Sequence, residues 1–378
     1  MKVKLKETGK IITGNTPKTS EAENYSSNDI PFIKPSDIHE NDILRIGESE
    51  YWISEHARKK ARILPPNSVL VTCIGIIGKV AINTCECAFN QQINAIIPDS
   101  ERYLPEYIAY AILAKQKYLQ DIANAPVVPI INKSQFADID IQTIDIQAQK
   151  RVVDKLSSVS ELIKLNNYRL NKLDELSKSR FVEMFGSEDF STFKLKEVCS
   201  KITDGTHKTP RYQNDGVTFI SAKNIVNNQL DFDDVKYISE QEYKEIQRRC
   251  QVEKYDVLLS KSGSLGSAAI VNTDEPLGLF ESLAVIKYDR EILNPTFLCE
   301  QLKTDDIQRQ FKYGTKGIAI KHLHLNVIGE TKVIVPPLEL QNQFADFVTK
   351  VEKQKATVQQ SIDKLETLKK SLMQEYFG

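Results

Sequence analysis

The chain has 378 residues, 41% hydrophobic and 27% charged, a length that favours two or three domains and a composition suited to a soluble globular protein. A formal net charge of −1 argues against a strongly basic nucleic-acid binder taken whole, and the six cysteines and five histidines show no CxxC pair or zinc-type spacing, so no metal site is expected. Apolar runs such as "VLVTCIGIIG" (Val69 to Gly78) are far shorter than the ~20 residues of a membrane span, and "MKVKLKETGK" has no signal-peptide core, so the expected location is cytoplasmic.

In chain order the first half presents "KLKE" at Lys4, the polar loop "IITGNTPKT" (Ile11 to Thr19), the β-forming run "DIPFIKPSDI" (Asp29 to Ile38) and "WISE" (Trp52 to Glu55). "VLVTCIGIIGKVAI" (Val69 to Ile82) follows, read as two strands around a Gly-x-x-Gly turn, then a short helix at "LPEYIAYAILAK" (Leu104 to Lys115). The second half repeats the series: "KLKE" at Lys194, "KITDGTHKTP" (Lys201 to Pro210), "GVTFISAKNI" (Gly216 to Ile225), "YISE" (Tyr237 to Glu240) and "VLLSKSGSLGSAAI" (Val257 to Ile270). Gly75 and Gly78 fall in register with Gly263 and Gly266. The chain is an internal duplication.

Each half ends on a long helical signal. "NKLDELSKSRFVEMFG" (Asn171 to Gly186) and "DKLETLKKSLMQEYFG" (Asp363 to Gly378) agree at eight of sixteen positions. Before them, Val152, Leu156, Val159, Ile163, Asn166, Leu170 and Leu173 keep a heptad spacing that recurs at Phe344, Val348, Val351, Lys355, Val358, Ile362 and Leu365. Each helix is expected to run about 34 residues, or roughly 50 Å, from near Gln149 or Gln341. Asn166 and Lys355 are expected to fix the register of the pair at some cost in stability.

The expected fold class is α+β: two repeated α/β-mixed domains separated by two long helices that pack as an antiparallel coiled coil with pseudo-twofold symmetry. The expected segments are 1–145 and 187–335 for the domains, and 146–186 and 336–378 for the helices. Such a molecule would act as a caliper.

No motif for catalysis emerges. "NPTF" (Asn294 to Phe297) is one residue from the Asn-Pro-Pro-Phe type that amino-methyltransferases use, but its repeat counterpart at Leu104 reads as a helix start with proline in the first turn. "GIIGK" lacks the GxxxxGK-Ser/Thr pattern of a phosphate loop, because Val80 follows Lys79.

Taken together, "LKEVCSKITDGTHKTP" (Leu195 to Pro210), "GTKGIAIKHL" (Gly314 to Leu323) leading into "VIVPPLELQNQF" (Val333 to Phe344), and the terminal "KKSLMQEYFG" resemble the specificity subunit of Type I restriction-modification systems. The resemblance implies two target-recognition domains, each reading half of a bipartite site in double-stranded DNA, held apart by two antiparallel helices. It implies two methyltransferase subunits carrying S-adenosylmethionine, restriction subunits that use ATP and Mg, and no catalysis by this chain. The first half departs from the pattern: Ile144 and Asp145 stand where Pro336 and Pro337 stand in the second, and "NAPVVPIINK" replaces "YGTKGIAIKH".

Loops with hydrogen-bond donors are the candidate DNA contacts. In the second half these are Thr206, His207, Lys208, Thr209, Lys261, Ser262, Ser264, Thr315 and Lys316; their first-half counterparts are Thr16, Lys18, Thr19, Thr72 and Lys79, with Lys34 and Arg211 as additional candidates. The alternative expectation is a non-catalytic protein-binding scaffold with no DNA readout.

Overall fold

The structure is a computed structural model that describes residues 1–38, 42–123, 128–186, 189–314 and 322–378. Its contacts divide the chain into one unit of Met1–Tyr168 with Gln359–Gly378 and a second of Arg169–Val358. Two α/β domains carry two long helices, Ile146–Phe185 and Leu338–Phe377, packed together antiparallel. Each unit holds the start of one long helix and the end of the other.

In unit 1 the strands Gly9–Thr13, Ile93–Pro98, Val69–Thr72, Val80–Asn83 and Leu44–Ile46 form a five-stranded sheet in that order. A four-stranded sheet has the order Trp52–Ile53, Ile30–Ile33, Cys87–Phe89, Ile63–Leu64, and Lys2–Lys4 pairs with Asp140–Gln142. Unit 2 repeats the scheme. Its main sheet orders Cys199–Asp204, Leu283–Tyr288, Val257–Ser260 and Ala268–Ile270; a second orders Lys236–Ile238, Val217–Ile220 and Leu277–Leu279; Thr192–Lys194 pairs with Lys332–Ile334. Both central parallel pairs, Ile30–Ile33 with Cys87–Phe89 and Val217–Ile220 with Leu277–Leu279, occupy the same place in the repeat.

The Gly-x-x-Gly turns join antiparallel strands in both units. Gly75 and Gly263 take φ of +76° and +70° with open space around them, so backbone conformation, not crowding, calls for glycine. Pro105 and Pro295 each occupy the first turn of a helix, Pro105–Ala114 and Pro295–Leu302. Asn294 caps the second, its side-chain oxygen accepting the N–H groups of Thr296 (2.8 Å) and Phe297 (3.3 Å), while Phe297 is fully buried. That accounts for "NPTF" as a capped helix start.

The long helices each span 40 residues rather than about 34, Ile146–Phe185 and Leu338–Phe377. Val152, Leu156, Val159, Asn166, Phe344, Val348, Val351 and Ile362 are buried, and Ile163, Leu170, Leu173, Lys355, Val358 and Leu365 are half-buried. Asn166 donates from Nδ2 to Ser361 Oγ at 3.3 Å within unit 1. Lys355 reaches Asp174 (2.7 Å) and Glu352 (3.0 Å) within unit 2. Burial alone would push the Lys355 ammonium down, but these carboxylates hold its pKa above the ordinary lysine value.

The helix ends are built into the cores. Phe185 packs with Phe297 and Phe344 in unit 2, at centroid distances of 5.0 and 5.6 Å, and Phe377 packs against Tyr107 at 5.2 Å in unit 1. The helix starts are clamped by two fully buried glutamines. The Gln149 side chain donates to the carbonyls of Arg102 and Ile144 (both 2.9 Å) and accepts the Leu104 N–H (3.0 Å). Gln341 does the same with Ile292 (2.9 Å), Pro336 (2.8 Å) and the Asn294 N–H (2.9 Å). Each amide thus satisfies three backbone groups at the junction of long helix, domain helix and connecting loop.

Truncating either clamp empties a buried site and leaves three backbone groups, most of them part-buried, without their partner. Gln149→Ala and Gln341→Ala should each lower unfolding free energy by about 3 kcal/mol, measured by urea denaturation. A loss below about 0.5 kcal/mol would show that the clamp is not a structural constraint.

Candidate nucleic-acid interface

The two units share a backbone frame at the ends of their main sheets. The N–H of Cys73 bonds the carbonyl of Gln92 and that of Lys261 bonds Ser282, both at 2.8 Å; the N–H of Ile131 bonds Cys73 and that of Leu323 bonds Lys261, again at 2.8 Å. Asn15 N–H reaches Phe89 (3.0 Å) as Thr206 N–H reaches Leu279 (2.9 Å). Thr13 therefore corresponds to Asp204, Cys73 to Lys261, and Gln91 to Glu281.

On this common frame the side chains differ. In unit 1 the interior is neutral: Thr13 Oγ1 lies 2.6 Å from Asn94 Oδ1, and burial pushes the Cys73 thiol up to about 11. In unit 2 Lys261 Nζ and Asp204 Oδ2 form an ion pair at 2.5 Å, with both side chains only 3% exposed. Asp204 also holds Arg249 Nη2 (2.5 Å) and faces His207 Nε2 (3.4 Å), whose Nδ1 is 2.5 Å from Glu281. Burial pushes the Asp204 carboxyl up, but Lys261 and Arg249 outweigh it and hold the group below the ordinary aspartate value.

The sequence candidates sort onto this frame unevenly. Thr16, Lys18 and Thr19 are exposed, and Thr16 Oγ1 donates to Gln91 Oε1 at 2.7 Å. Thr16, Thr19 and Lys34 line a concave surface of about 500 Å³ together with Tyr25, Phe32, Tyr51 and Trp52. Lys34 Nζ lies 3.0 Å from the Tyr51 ring centroid, a cation–π contact that holds the ammonium at this surface. Lys79 is elsewhere, lining a cavity of about 290 Å³ with Gly75, Ile76 and Gln116. Thr72 is a correction: it is fully buried, and its Oγ1 accepts the Lys79 N–H at 3.0 Å.

In unit 2 His207, Lys208 and Thr209 are exposed and Thr206 is half-buried, its hydroxyl accepting the Lys208 N–H at 3.2 Å. Ser264 is exposed at the Gly-x-x-Gly turn and Ser262 is half-buried. Lys261 is the second correction, an interior strut rather than a surface donor. Arg211 is exposed, with its N–H bonded to Glu242 at 2.9 Å. Thr315 and Lys316 lie outside the described residues. His322 and His324 lie on a loop with ring centroids 5.4 Å apart, and Asp204 and Glu281 are near enough to act on His322. Burial, then Lys261 and His324, lowers the His322 pKa.

Sequence reasoning missed Asp204, Arg249 and Glu281 as site residues. Arg249 ends the helix Glu240–Arg249, and only the fold brings it to Asp204. Among the described residues no group of three or more His, Cys, Asp or Glu is arranged to hold a metal ion, and no helix is long and apolar enough to cross a membrane.

Removing Lys261 takes away the buried counter-charge of Asp204 and leaves only Arg249, whose side chain is exposed, to meet it. Lys261→Met should cost about 3–5 kcal/mol, and adding Asp204→Asn should recover much of it. Because the folded Asp204 pKa is depressed, its contribution is present above the unfolded value of about 3.9 and lost as pH falls through the lower folded value. Denaturation midpoints measured through that acid window should fall more steeply for the native sequence than for the double variant.

The chain matches the Type I restriction modification DNA specificity domain over residues 1–175 and 187–367. It is 27% identical over 372 residues to the Type I restriction enzyme MjaIX specificity subunit of Methanocaldococcus jannaschii, covering 91% of this chain and 85% of that protein. It is 30% identical over 174 residues to the HindI specificity subunit of Haemophilus influenzae, covering 46% and 38% respectively. Its fold is similar to the Type I restriction-modification S subunit from M. genitalium, with a TM-score of 0.60, 15% identity, and 100% and 96% of the two chains covered. The chain belongs to the Type I restriction-modification DNA specificity family, whose members supply sequence recognition rather than catalysis and leave cofactors to partner subunits.

Proposed function

We propose that the chain reads a bipartite site in double-stranded DNA, with one half-site recognised by the loops of each domain, residues 1–145 and 187–335. The observation that carries this reading is the pairing of one repeated backbone frame with two different sets of side chains at its loop ends, Thr13, Cys73 and Gln91 against Asp204, Lys261 and Glu281. Loop side chains on a rigid scaffold are where specificity is set. Two halves of a split site give two such scaffolds reason to differ.

The long helices, 146–186 and 336–378 with their flanks, set the distance between half-sites and dock two methyltransferase subunits. A helix of 40 residues rises about 60 Å. Two linked readers bind with an effective concentration that neither has alone. The methyltransferase subunits carry S-adenosylmethionine and restriction subunits use ATP and Mg, all in the cytoplasm. With a net charge of −1, much of the phosphate contact falls to the partners, so the chain alone binds DNA weakly.

Co-expression with a methyltransferase subunit, with mapping of methylated adenines, should return a split motif, and exchanging residues 187–335 for another family member's domain should change one half only. Unsplit methylation, or a motif indifferent to the exchange, would sink the proposal. A gel shift of the assembled complex separates it from a protein-only scaffold, which would leave DNA unshifted. Inserting one heptad into each long helix should lengthen the spacer and leave both half-site sequences unchanged.

A further inference from the structure

Each unit places one arginine at the mouth of its frame. In unit 2 Arg249 is held through a single nitrogen, Nη2, by Asp204 Oδ1, and the same nitrogen lies 3.1 Å from His207 Nε2. Its side chain is nevertheless 55% exposed. Lys201 Nζ bonds the Arg249 carbonyl at 2.9 Å, fixing the backbone beneath it. In unit 1 Arg62 donates from Nη1 to the carbonyl of Thr13, the residue that corresponds to Asp204. Arg62 is exposed, its own N–H bonds Asn15 Oδ1 at 2.8 Å, and Asn15 Nδ2 bonds the carbonyl of Lys60 at 2.7 Å. Both arginines precede the strand that enters the Gly-x-x-Gly turn, and both are tied to the loop bearing the exposed candidates, Thr16 in one unit and His207 in the other.

The two anchorages differ in chemistry and agree in effect. Thr13 offers a neutral carbonyl, so Arg62 keeps its charge. Asp204 is a carboxylate, but its charge is already met inside the domain by Lys261, which is as buried as Asp204 itself. Arg249 is therefore oriented by an acid without being neutralised by it. In each unit one guanidinium is held while most of its five N–H donors are outside the contacts that hold it. A planar fork fixed in this way loses little freedom on binding and suits the paired O6 and N7 acceptors that guanine presents in the major groove.

We infer that Arg62 and Arg249 are equivalent base-reading residues, each specifying a guanine in the half-site that its own domain recognises, with Thr13 and Asp204 as their positioning groups. The inference rests on the proposed reading of a bipartite site and goes beyond it by naming the residue and the base. Lysine at either position would keep the charge and lose the fork, which distinguishes base reading from phosphate binding.

The test uses the complex co-expressed with its methyltransferase subunit and maps methylated adenines for the native chain, Arg249→Ala, Arg249→Lys, Arg62→Ala and Arg62→Lys. The native complex must first yield a split motif; an unsplit native motif counts against the proposed function itself, whatever the arginine variants do. Both Arg249 variants should relax a guanine preference at one position of one half-site by about tenfold or more, with the other half-site read as before. The Arg62 variants should relax the opposite half. The unaffected half-site reports that the complex has folded and assembled, so lost preference is not confused with lost protein. An unchanged motif overturns the inference. So does a uniform fall in methylation for the alanine variants that the lysine variants restore, which is the behaviour of a phosphate contact.

Discussion

The buried glutamines Gln149 and Gln341 are the constraint on which the rest of each unit depends. A long helix can transmit a position only if the body attached to it cannot rotate about the junction. At each junction three backbone groups come from two segments, the lead into the domain helix and the lead into the long helix, and one fully buried side-chain amide satisfies all of them. An apolar residue of similar size would fill the space and leave those groups unpaired. A charged residue would add a desolvation cost. The neutral amide, with donors and acceptor on one planar head, is what the junction requires, and the repeat preserves it where the neighbouring Pro336-Pro337 has become Ile144-Asp145.

From that junction the structure divides its tasks. Main-chain hydrogen bonds, nearly equal in length in both units, fix where the loops emerge. Side chains at the loop ends are then free to change, and they have changed as far as swapping a neutral Thr13, Asn94 and Cys73 interior for the Asp204–Lys261 ion pair. Such a pair adds little net stability over an apolar filling. Its consequence is positional: it supplies a carboxylate, already compensated, against which Arg249 can be aligned.

What was legible in the sequence was local or periodic. The Gly-x-x-Gly turns, the helix starts at Pro105 and Pro295, and the heptad seam depend on neighbours within a few residues, and a duplication states each of them twice. The fold class could be read from their order. The helices are longer than the seam that announced them, which runs only from Val152 to Leu173 and from Phe344 to Leu365, because the turns beyond it carry no heptad signal of their own. Site residues were less legible, because their state is set by partners far away in sequence. Lys261 looked like a loop donor until Asp204 met it, and Arg249, at the end of the helix Glu240–Arg249, gave no local sign of the partner that the fold brings to it. Thr72 sits in a run where every residue is buried, Val69 to Cys73, so alternation gave no hint of which way its hydroxyl faced.

A protein with a net charge of −1 that reads DNA is held to a stricter geometry than a basic one. A basic surface gathers affinity from many loosely placed contacts, each insensitive to sequence. When phosphate attraction is supplied by partner subunits, the reader contributes mainly discrimination, and discrimination needs few donors held in fixed directions. In the proposed reading each unit would meet that need with the guanidinium it holds beside a sheet whose central strands are fully buried, where slack is limited by the packed core. Under the proposed reading the buried strands Val257–Ser260 and Val69–Thr72 serve recognition by supporting those arginines, although none of their own side chains reaches the surface.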